Sequence, residues 1–115
     1  MLIRICSFSK EGASKTKGLV LKEKLEKGII QHESITVDFT GVDCYASPFF
    51  NNSFAALALK YGFEVIEKIK LENLSFVGQE TYQTSMDNAK MLLSRPDFVN
   101  QMNLIIQEPP KDTEG

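Results

Sequence analysis

Residues 34–61 constrain the fold more than any other stretch, because a strand, a turn and a helix follow one another there without a gap. Ile35, Val37 and Phe39 alternate with Thr36, Asp38 and Thr40, the period of a half-buried strand over Ile35 to Thr40. Gly41 interrupts the alternation, and Val42, Asp43, Cys44 and Tyr45 carry the chain across a turn. Ser47-Pro48 then predicts a helix start. A serine hydroxyl can accept from a first-turn N–H, so Ser47 is the expected N-cap. Proline suits the first helical position, where its missing N–H costs nothing. Phe50, Phe54, Leu57 and Tyr61 recur at helical spacing and are expected to pack on the sheet, with Gly62 as the stop. Phe49 lies about 100° around that helix from Phe50 and is expected to be partly exposed.

The flanking segments repeat the pattern. Leu2 to Phe8 reads as a first strand, apolar on both faces apart from Arg4 and Ser7, and so expected well inside a sheet. Ser14 is the expected cap of a helix running to about Lys27, with Gly28 as its stop. Its apolar face is Leu21, Leu25 and Ile29, with Val20 beside it. After Gly62, residues 63–67 fit either a helical turn or the approach to a strand. Lys68 to Leu74 alternates and reads as a third strand. A further helix is expected from about Tyr82 to Ser94, with Met86, Ala89, Leu92 and Leu93 on its apolar side, and Pro96 disfavours helix at Arg95. Phe98, Met102 and Ile105 favour a last helix, while residues 103–107 as a fourth strand are the alternative. Residues 1–108 then make one domain and 109–115, opening on Pro109-Pro110, a disordered tail. Strands alternating with helices define an α/β class with strands joined through crossovers, and so mainly parallel.

Composition narrows the function classes. With 115 residues, one domain can bury about two thirds of its unfolded surface without a metal or a disulfide. A net charge of −2 and only two arginines, Arg4 and Arg95, leave no basic patch for nucleic acid. No apolar run approaches the ~20 residues that span a bilayer, and no basic-then-apolar leader is visible, so the expected location is the cytoplasm. Cys6 and Cys44 are the only cysteines and are expected to be reduced and buried.

Val37-Asp38-Phe39-Thr40-Gly41-Val42, then Ala46-Ser47, then an amphipathic helix, resembles the strand–turn–helix signature of STAS domains, the sulfate-transporter and anti-sigma-factor-antagonist modules. The longer match is similar to the STAS-like family of unknown function. It takes in Asp-Phe-x-Gly-Val, a serine, a Phe-Asn segment and a Tyr-Gly helix end, over roughly residues 12–75. The resemblance implies a single small domain, a mixed or mostly parallel sheet of about four strands, and helices packed mainly on one face. In phosphorylatable relatives the turn reads Asp-Ser-Ser-Gly and its first serine takes the phosphate; by register from Asp38 that serine falls on Ser47. Ala46, Pro48 and Phe49 stand where such relatives carry Asp, Ser and Gly. The resemblance further implies a bacterial regulatory module whose partner is a histidine-kinase-like ATPase or a related signalling protein.

No nucleophile–base pair, metal-ligand cluster or cofactor motif accompanies these features, so neither catalysis nor a cofactor is expected. The residues expected to carry function are Asp43, Tyr45, Ser47, Phe49, Asn51 and Asn52, as one partner-binding patch with Ser47 as its candidate phosphorylation site. Asp38 reads as a structural hydrogen-bonding group and His32 as a surface residue. Residues 12–18 superficially look like a phosphate loop, but Gly-Lys-Ser/Thr does not close the motif. Two other readings stay open: a small-ligand or nucleotide-binding domain, and a structural subunit of a homo-oligomer.

Overall fold

The computed structural model describes residues 1–94. Three short strands, β1 (Leu2–Arg4), β2 (Thr36–Asp38) and β3 (Lys70–Glu72), form a parallel sheet in the order β1-β2-β3. The register sets Ile3 beside Val37 beside Leu71. That row faces the helices, together with Ile5, Ile35, Phe39 and Ile69 of the same parity, all buried except Leu71, which is half-buried. Leu2, Arg4, Thr36, Asp38, Lys70 and Glu72 have the opposite parity and lie on the more open face. Among the described residues there are three strands rather than four, and the residues expected to add a last helix or strand lie outside them, as does the tail.

β1 ends sooner than its apolar residues predict. Ile5–Ser7 is a 3₁₀ turn, and Phe8 and Ser9 both donate to the Ile5 carbonyl, at 3.0 and 2.9 Å. The strand therefore stops at Arg4 and sits at an edge of the described sheet, not inside it. Cys6 falls in this turn and Cys44 in the loop after β2, so both thiols are free and exposed rather than buried.

Helix α1 (Lys15–Ile30) starts where Ser14 predicts: its hydroxyl accepts from Lys17 N–H at 3.2 Å. It continues past Gly28, which is buried in the helix. Its end is set instead by His32 N–H donating to Ile29 O at 3.0 Å and Glu33 N–H to Gly28 O at 2.9 Å. This is a Schellman ending, with His32 in the left-handed position at φ 58° that glycine usually takes. His32→Gly is therefore expected to raise the unfolding free energy by ~0.5–1 kcal/mol, the left-handed strain relieved less the added chain entropy. A urea titration checks the sign.

The central helix is one rod in three segments: α2 (Ser47–Phe50), a π-helical turn (Asn51–Ala55) and α3 (Ala56–Tyr61). It packs against α1 on one side and α5 (Phe76–Leu93) on the other. Phe50, Phe54 and Leu57 are fully buried beneath it. Gly62, at φ 106° and ψ 147°, occupies a region essentially reserved for glycine and breaks the rod before α4 (Phe63–Glu67). Residues 63–67 thus take the helical alternative. A carboxylate ties the rod to α1: Glu26 accepts from Lys60 Nζ and from the Tyr61 hydroxyl, each at 2.6 Å, and both partners hold its pKa below the ordinary value. α5 begins well before Tyr82, because Ser75 caps it by accepting from Gly78 N–H at 3.1 Å.

Candidate functional site

The loops at the carboxyl ends of the three strands meet at one end of the molecule. In open α/β sheets this is the end where function usually gathers. The turn after β2 is built on Asp38. Its Oδ1 accepts from Asn73 Nδ2 at 2.9 Å, Thr40 Oγ1 at 2.7 Å and Thr40 N–H at 3.0 Å. The Asn73 amide and then the Thr40 donors pull this carboxyl down to about 2. Asp38 therefore clamps β2 to the loop after β3. Among the described residues no cluster of His, Cys, Asp and Glu has the makings of a metal site.

Beyond the clamp, residues 43–46 run beside residues 10–12. Asp43 N–H donates to Lys10 O, Gly12 N–H to Cys44 O at 2.8 Å, and Ala46 N–H to Gly12 O at 3.1 Å. This bridge holds Tyr45 inward. Its ring stacks on Phe50 at 6.2 Å and lies 6.2 Å from Phe39. A Cβ at Gly12 or at Gly78 would stand 3.0 or 2.9 Å from the ring, so two glycines make its slot. Burial pushes the Tyr45 phenol up, and Ser75, the cap of α5, lies against it. The turn and the start of α5 are thereby one surface.

The bridge also corrects the expected cap. Because Ala46 must stay extended, at φ −153° and ψ 156°, to reach Gly12, it takes the N-cap position and its side chain caps nothing. Ser47 becomes the first helical residue, exposed, with Pro48 after it. Ser47→Ala is accordingly expected to leave the melting temperature unchanged, where loss of a true cap would cost ~1 kcal/mol. A thermal melt followed by circular dichroism distinguishes the two.

The six residues expected to form one patch divide. Asp43 and Ser47 are exposed, and Tyr45 and Asn51 are half-buried. Phe49 and Asn52 are buried, at 0% and 6% exposure, and cannot touch a partner as the chain stands. The expectation failed because it assumed a helix covered on one side. α1 covers a second side, closing on the Phe49 backbone at Gly18. The π-helical turn adds to this. Within it, Asn52 Nδ2 and Ser53 Oγ donate to the Pro48 and Phe49 carbonyls, each at 2.7 Å. Ser85 Oγ of α5 donates to Asn51 Oδ1. These polar side chains hold the helix together rather than facing outward.

In the lysine-rich loop of residues 12–18 the chain's own Glu11 takes two of the backbone amides. Glu11 Oε1 accepts from Ala13 and Ser14 N–H at 2.6 and 3.0 Å, where a phosphate oxygen would sit, and these bonds lower its pKa. Lys17 Nζ donates to Phe8 O at 2.9 Å. His32 lies at the opposite end of the sheet, on a groove it shares with Glu33, Lys68 and Lys70.

Sequence reasoning missed Phe76 and Val77, which are 72% and 58% exposed in the first turn of α5. A signal existed: at 3.6 residues per turn Val77 falls half a turn away from Met86, off the buried face.

A parallel sheet with a crossover helix between successive strands and helices over its buried face defines a small α/β domain. Comparison with known protein families matches residues 17–79 to the STAS-like domain of unknown function (DUF4325). The match takes in more than half of the chain, which belongs to this family. Comparisons with curated proteins and with solved structures gave no match. Among the described residues, no helix is long and apolar enough to cross a membrane.

Proposed function

We propose that the chain is a non-catalytic regulatory module that docks a protein partner through Asp43, Tyr45 and Ser47 together with the first turn of α5. The observation that supports this most is the pair Phe76 and Val77, two large apolar side chains held out in solvent beside that turn. Exposed aromatic residues on a rigid element are the usual anchors of an interface, and the polar groups around them form its rim. By family resemblance the partner is a histidine-kinase-like ATPase or a related signalling protein. Ser47 is the control point of this reading. It is exposed at a helix start, where a phosphate would meet the positive end of the rod.

The test is capture from extracts of the native host with the wild-type chain and with the double variant Phe76→Ser/Val77→Ser. A partner retained by the wild type is expected to lose at least about tenfold in affinity for the variant, the effect of removing a hot-spot pair. Melting curves of the two should superimpose, since neither side chain is in the core. Equal capture by both chains would sink the docking surface. Ser47→Asp is expected to weaken the same partner in calorimetry, and unchanged affinity removes Ser47 as a switch while leaving the docking site standing.

A further inference from the structure

The outer edge of β3 is self-complementary. β3 bonds to β2 through Lys70 and Glu72: Lys70 N–H donates to Ile35 O at 3.0 Å and Phe39 N–H to Glu72 O at 2.9 Å. In a parallel ladder alternate residues bond to opposite sides. The N–H and C=O of Leu71 therefore point away from β2. Among the described residues no strand pairs with that edge. The Leu71 side chain lies on the helix-covered face, in register with Val37 and Ile3, whereas Lys70 and Glu72 lie on the open face. Beside Leu71 a groove of about 460 Å³ is lined by Leu71, Asn73, Leu74, Gln79, Tyr82 and Gln83, with no ionised side chain among them.

We infer that a second copy of this chain docks here, β3 against β3, antiparallel about a two-fold axis through Leu71. These outward groups dictate the register. Leu71 of each copy gives its N–H to the other's C=O, the hydrogen-bonded pair of an antiparallel ladder. Position 70 of one copy then lies opposite position 72 of the other, so Lys70 meets Glu72 twice across the axis. At present these two form one exposed contact within the strand, 3.5 Å long. On the covered face the two Leu71 side chains stand side by side at the mouths of the uncharged grooves, where no ion is stranded by burial.

The other described edge does not have this property. Thr36 N–H donates to Met1 O at 2.9 Å, so Leu2 and Arg4 carry the outward groups of β1. A two-fold axis through Arg4 would set two guanidinium groups face to face. A lysine on an edge strand ordinarily discourages pairing. In β3 the glutamate two positions on makes one register permissive and penalises the others. The contact is small against the ~800 Å² per partner of a standard interface, so the dimer should be reversible and concentration-dependent.

Sedimentation velocity from micromolar to millimolar concentration tests this. The wild type is expected to shift from the 12.9 kDa of one chain toward twice that mass. Lys70→Glu sets acid opposite acid and Glu72→Lys sets base opposite base, so each alone should weaken self-association by about tenfold or more. The double exchange Lys70→Glu/Glu72→Lys should restore it. An equimolar mixture of the two single variants should form a heterodimer, since each then meets its opposite charge. Both side chains are well exposed, at 71% and 42%, so every variant is expected to fold, which circular dichroism checks. A wild type that stays at one chain's mass throughout overturns the inference. So does a dimer that both single exchanges leave intact, which would place it on another surface.

Discussion

Phe50→Ala is expected to lower the unfolding free energy by ~3–5 kcal/mol, the cost of emptying a fully buried aromatic site. Phe50 has no solvent exposure and joins three parts of the molecule. Its ring lies 6.3 Å from Phe39 of the central strand's extension, 6.2 Å from Tyr45 of the turn and 5.8 Å from Tyr82 of α5. Phe49 and Phe54, at 5.2 and 6.0 Å, complete the cluster. No neighbour can fill the void without leaving its own contact, because interiors are packed to crystal density. A urea titration with unchanged slope measures the loss. The same substitution should also free Tyr45, so partner binding should fall with stability, unlike in the Phe76/Val77 double variant. A change below ~1 kcal/mol would mean that the ring does not hold this joint.

Gly18→Ala is expected to destabilise by ~1–3 kcal/mol, against the ordinary rule that alanine improves a helix interior by up to ~1 kcal/mol. A Cβ at position 18 would lie 2.5 Å from the Phe49 carbonyl oxygen and 3.1 Å from its Cα. These are backbone atoms, so no rotamer change relieves the overlap. The Phe49 carbonyl is also held by Ser53 Oγ, and moving it strains the π-helical turn. Chemical denaturation decides the sign: a stabilised variant would show that α1 and the central helix are not in this close approach.

The strand at Thr36–Asp38, the helix after Pro48 and the breaks at Gly41 and Gly62 were all legible locally. So was the capping of α1 by Ser14. Each depends on residues within one turn of one another, where hydrophobic period and cap chemistry act alone. α5 starts earlier than the expected Tyr82, because Ser75 caps it and Gly78 lies inside its first turn. A Cβ at Gly78 would meet both Leu74, four positions earlier, and the Tyr45 ring, 33 positions earlier, and only the first of these is a neighbour in sequence.

The candidate site was legible only in part for the same reason. Whether Phe49 and Asn52 face a partner depends on how many sides of the central helix are covered. α1 covers one of them by virtue of Gly18, 31 positions before Phe49. Ser47 lost the N-cap role to Ala46 because a bridge to Gly12 holds Ala46 extended. Asp38 became a clamp only when Asn73 arrived from the far side of β3.

Hydrophobic alternation, caps and glycine breaks, all short-range, were enough to write the α/β order and its family signature into the chain. Exposure was not. Which apolar residues are left outside and which polar ones are enclosed follow from contacts between residues far apart in sequence. Burial belongs to a pair of surfaces, and only the folded chain brings the second surface into place.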